Sequence, residues 1–153
     1  MPLLDRQGWK TDAYVRSETP IETAALLVPF AVLDDALAAR TGAQRIGVVI
    51  PNDAAVEALL PVQDRLDLIA IEFPQFKDGR GFSIARALRR QGYRGTLRAA
   101  GPLVPDQFVF ALDCGFDEIE IGEEQAARQP IEQWLHALTF VTDSYRPVRR
   151  RAA

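Results

Sequence analysis

The run Asp78-Gly79-Arg80-Gly81-Phe82-Ser83 sets a carboxylate, a guanidinium and a hydroxyl along one short, glycine-flanked stretch. Arginine is a planar, permanently charged donor that matches oxyanions, and glycine lets backbone come close to a ligand. A helix N-terminus just beyond would add favourable partial charge. The chemistry on offer is anion binding by Gly79, Arg80, Gly81 and Ser83, with Asp78 beside them. The plainer reading is an ordinary loop whose glycines take positive φ and whose Arg80 binds Asp78 or a carbonyl. The run lacks the Gly-Lys-Ser/Thr end of a triphosphate loop and the three-glycine spacing of a dinucleotide site.

Four more residues belong to the same candidate site. Glu72 and Arg98 are charges inside otherwise apolar runs, so each needs compensation, and a Glu72–Arg98 pair is the expectation. Asp106 and Gln107 follow Pro105, where Asp106 either caps a helix or orients a ligand. Glu72, Asp78 and Asp106 around Arg80 and Arg98 would also furnish the acid/base groups of a stand-alone small-molecule enzyme. A purely structural dimerisation module, or homo-oligomer, is the third class of reading. With a single cysteine, Cys114, and a single histidine, His136, a Cys/His zinc site and a cysteine-ligated iron–sulfur cluster within one chain are excluded. Cys114 reads as a packed thiol and His136 as an exposed helix-face residue. No catalytic residue and no cofactor is assigned.

The elements that must position these residues alternate in type. Apolar, β-rich runs at 25–28, 45–50, 68–71, 96–100 and 118–121 are separated by helical patterns near 32–40, 54–60, 84–91 and 106–114, and a last helix carries Ile131, Trp134, Leu135, Leu138 and Val141. Ser83 reads as the cap of the helix starting at Ile84. About five βα units predict an α/β fold, a mainly parallel sheet with helices on both faces; a partial barrel-like βα arc is the alternative. Residues 1–20 read as a hairpin or arm with a turn at Asp5 to Gly8, residues 21–143 as one α/β domain, and 144–153 as a basic, solvated tail. In such sheets ligands bind beyond the carboxyl ends of the strands, which brings the loop after the third run beside the loop after the fourth.

Size and charge bound the rest. The chain has 153 residues, 48% hydrophobic and 25% charged, with a net charge of −3. That composition suits one domain with its own core. The acidic balance argues against a broad nucleic-acid-binding face. The charged start, with Asp5, Arg6, Lys10 and Asp12, gives neither a secretory leader nor a membrane span, so a cytoplasmic location is expected.

The series Phe73-Pro-Gln-Phe-Lys-Asp-Gly-Arg-Gly-Phe-Ser-Ile-Ala-Arg-Ala-Leu-Arg, then Gly92-Tyr-Arg-Gly-Thr-Leu-Arg-Ala, Asp106-Gln107 and Cys114-Gly-Phe-Asp117, resembles a bacterial family of unknown function. Members of that family are described as a probable oxidoreductase involved in sulfite reduction and are encoded beside sulfite or nitrite reductase. The resemblance covers roughly residues 20 to 125 and departs from the family pattern at Pro102 and Asp113. It implies a role in assimilatory sulfur metabolism, with sulfite or nitrite reductase or a small anionic metabolite as the partner. Because redox chemistry needs a cofactor or a dithiol, the residues themselves favour an accessory protein that binds at the strand C-terminal edge.

Overall fold

The computed structural model describes residues 2–75 and 77–141. Eight strands form one sheet: β1 (Leu3–Asp5), β2 (Gly8–Lys10), β3 (Val15–Arg16), β4 (Ala25–Pro29), β5 (Arg45–Ile50), β6 (Leu68–Glu72), β7 (Thr96–Ala100) and β8 (Glu118–Glu120). The helices are α1 (Leu33–Ala38), α2 (Arg80–Arg90), α3 (Pro105–Cys114), α4 (Glu123–Arg128) and α5 (Ile131–Val141). The sheet order is β2-β1-β8-β7-β6-β5-β4-β3, with β3 to β8 mutually parallel and β1 antiparallel to both its neighbours. All five apolar runs of the sequence are strands here.

The order corrects one expectation. When parallel strands follow one another in sequence order, right-handed crossovers place every connecting helix on the same face. Leu26, Val28, Ile46, Val48, Ile50, Ile69, Ile71, Leu97, Ala99 and Ile119 share one core with Leu33, Leu37, Phe82, Ile84, Leu88, Phe108, Leu112 and Trp134 of the helices. Successive strand residues point to opposite faces, so the alternate residues Leu27, Leu68 and Ala70 form a second, small cluster on the other side, under Tyr14 and Val49. Helices therefore cover one face only, and the barrel-like arc is the form that fits.

The curl of the arc follows from one contact. Edge strand β3 lies five strand spacings from β8, roughly 24 Å in a flat sheet at about 4.8 Å per step. Yet the Arg16 guanidinium of β3 is bonded to the Glu120 carboxylate of β8. Two side chains cannot span that gap, so the sheet must bend into a half-barrel whose helix-free face is concave. The hairpin expected within residues 1–20 forms as β1 and β2, and the chain then crosses the concave face to reach the opposite edge at β3.

Two further differences are local. The pattern at 54–60 forms a 3-10 turn at Val56–Leu59 rather than an α-helix, with a second 3-10 turn beyond Pro61 at Gln63–Arg65, because the stretch between Pro51 and Pro61 is too short to repay helix nucleation. Helix α2 begins at Arg80, not after Ser83. The tail at 144–153 lies outside the described residues.

Candidate functional site

At the C-terminal edge of the strands, the loop after β6 is anchored by aromatic packing. The Phe73 N–H donates to the Ala100 carbonyl at 2.7 Å, and the Phe73 ring lies 4.9 Å from Phe82 and 5.8 Å from Phe116. A Cβ on Gly81 would stand 2.5 Å from the Phe73 ring, and one on Gly101 only 2.0 Å from the Phe73 carbonyl oxygen. Gly81 is thus a packing residue inside α2, and Gly79 has an ordinary φ of −87° at the helix cap. Neither takes the positive φ that the plainer reading of the loop supposed; Gly101, with φ of 153°, does.

Asp78 organises the loop. Its carboxylate accepts from the Arg80 N–H at 3.2 Å, from Arg80 Nε at 3.0 and 3.2 Å and from Arg80 Nη2 at 2.7 Å, and Asn52 Nδ2 donates to it at 2.7 Å from the loop after β5. The side-chain and backbone bonds from Arg80 hold the Asp78 carboxyl far below the usual carboxylate range. Asp78, rather than Ser83, therefore supplies the side-chain acceptor at the start of α2; Ser83 is exposed inside the helix. The Arg80 side chain is 63% exposed, and its Nη1 has no partner among the described residues.

The remaining candidates are placed as follows. Asp106 is exposed in the first turn of α3, and the cap there is Gln107, whose Oε1 accepts from the Val104 N–H at 3.1 Å. Asp106 is therefore not the cap. Glu72 is exposed at the end of β6. Arg98 is not its partner: the Arg98 guanidinium is buried on the concave face, bonded to Glu118 at 2.8 Å, Glu120 at 3.3 Å and Asp12 at 3.0 and 3.1 Å. The expected Glu72–Arg98 pair fails because β8 offers two inward carboxylates beside Arg98 in register, while Glu72 sits opposite Ala100. The structure thus joins Asp78, Gly79 and Arg80 in one cluster and sets Arg98 in another.

That second cluster contains groups that sequence reasoning missed. Lys10 donates to Glu118 at 3.0 Å and lies 3.7 Å from Asp5, while Arg16 binds Glu120. Two guanidinium groups approach the Tyr14 ring, Arg45 at 5.4 Å and Arg98 at 5.8 Å from its centroid. Burial would raise the Asp12 carboxyl, but the bonds from Arg98 and the Tyr14 N–H hold it below its ordinary value. Burial pushes the Tyr14 phenol up to about 12. One sequence signal was available: Arg98, Glu118 and Glu120 alternate with apolar residues in strands, so all three face the same side.

Among the described residues, no group of three or more His, Cys, Asp or Glu side chains is arranged to hold a metal ion. No helix among them is long and apolar enough to cross a membrane.

A family model described as a bacterial protein of unknown function (DUF934) matches residues 47–152. That span includes the Asp78–Arg80 loop and all of β6, β7 and β8. No curated protein matches the chain.

Proposed function

This chain belongs to the bacterial family of unknown function DUF934, and we propose that it is a cytoplasmic accessory protein of assimilatory sulfite reduction. In this reading it docks on sulfite or nitrite reductase through the C-terminal edge of its parallel strands. The pathway rests on the resemblance carried by Phe73 to Ser83 and the motifs that follow it.

The observation that carries the docking mode is Arg80. Its guanidinium is largely exposed, yet the Asp78 carboxylate fixes its Nε and Nη2 edge. Fixing a side chain before it binds reduces the rotamer entropy lost on association, and arginine is among the residues enriched at interface hot spots. Nη1 is left to meet a carboxylate or carbonyl on the partner. Asn52 and the Phe73–Phe82 packing support the platform beneath it.

Calorimetric titration of the purified chain into the reductase tests this reading. The wild type forms a complex, and Arg80→Ala weakens it roughly tenfold, as loss of one interface anchor does. No complex with either reductase, or an Arg80→Ala affinity equal to the wild type's, would contradict it.

A further inference from the structure

The concave face holds a cavity of about 120 Å³ at the opposite end of the strands from Arg80, where Arg45, Leu68, Thr96 and Glu118 begin β5, β6, β7 and β8. At that volume it admits several water molecules or one small polyatomic ion. Its polar lining comes from Lys10, Thr11, Tyr14, Arg45, Thr96, Glu118 and Arg98, whose guanidinium nitrogens are already bonded to Glu118, Asp12 and Glu120.

The unmade bonds in that lining are donors. Arg45 has no carboxylate within ion-pair distance among the described residues and is held by the Tyr14 ring at 5.4 Å. The Tyr14 hydroxyl has no hydrogen-bond partner among the described residues either, and as a phenol it is a protonated donor at neutral pH. Glu118, the one carboxylate in the lining, is already taken by Lys10 at 3.0 Å and Arg98 at 2.8 Å. Within the lining a cation would find the carboxylate occupied, while an anion would find a guanidinium, a phenol and two threonine hydroxyls; Asp67, whose charge also acts on that phenol, is engaged by Arg40 at 3.3 Å.

We propose that this cavity is a binding site for a small oxyanion, held by Arg45 and the Tyr14 hydroxyl with Lys10 at its rim. The anion would complete the charge balance of Arg45. The site is separate from the docking loop and stands whether or not a reductase binds there.

Inorganic sulfate and inorganic phosphate serve as probes, titrated calorimetrically into the full chain against chloride at equal ionic strength. At least one of the two binds saturably, one per chain. Arg45→Gln, a change at an exposed side chain, lowers that affinity tenfold or more, and Tyr14→Phe, which removes only the hydroxyl, lowers it severalfold. Circular dichroism of both variants verifies that the fold is kept. Absence of saturable binding by both probes, heats that chloride reproduces, or unchanged affinity in both variants would overturn the proposal. Loss of binding in Arg80→Ala with retention in Arg45→Gln would move the anion to the docking loop and overturn it as well.

Discussion

Arg98 shows what one buried charge demands of its surroundings. Its side chain is 3% exposed and is met by Asp12, Glu118 and Glu120, two of which are also claimed by Lys10 and Arg16. Removing the guanidinium strands carboxylates in the concave face, so Arg98→Met destabilises by about 3–5 kcal/mol, measurable by urea unfolding. Tyr14 gives a pH signature. Its folded pKa, about 12, lies above the ordinary 10.0, so the stability it contributes is complete below pH 10 and is lost as the pH rises toward 12. Thermal unfolding against pH will show that alkaline loss, and Tyr14→Phe will lessen it. The sequence made Arg98 visible as a charge in a strand, but Asp12 lies 86 residues away. Only the crossing of the N-terminal segment over the concave face brings them together, and no local pattern encodes that crossing.

Helix α2 is the element on which the docking loop depends. It starts at Arg80 because the Asp78 carboxylate accepts the Arg80 N–H, and its first turn can lie against Phe73 because position 81 has no side chain. Gly81→Ala places a methyl group against that ring; it should cost about 1–3 kcal/mol through overpacking, despite alanine's better helix propensity, and lower the unfolding temperature. The strands were legible because runs such as Leu68 to Ile71 are buried on both faces and therefore continuously apolar. The start of α2 was misjudged because Asp78 and Ser83 are both good caps, and tertiary packing of Gly81 decides between them. The stretch at 54–60 misled for a different reason: its apolar spacing is helical, but the prolines at either end leave it too short.

At the scale of the whole molecule, the α/β class follows from the alternation of strand and helix, but strand order does not. Sequential and doubly wound orders share the same alternation, and the choice is made by long-range pairing and by the ionic links that draw Arg16 to Glu120 across the curled sheet. The resulting half-barrel carries the proposed docking loop, Asp78–Arg80, at the strand C-termini and the proposed anion pocket at the N-termini. Amide hydrogen exchange on the complex with the reductase tests the docking account most directly. Exchange is expected to slow on binding at residues 73–82 and 101–107, with the β2 and β3 edges unchanged. Protection confined to those edges or to the concave face, with the 73–82 loop exchanging as in the free protein, would contradict it.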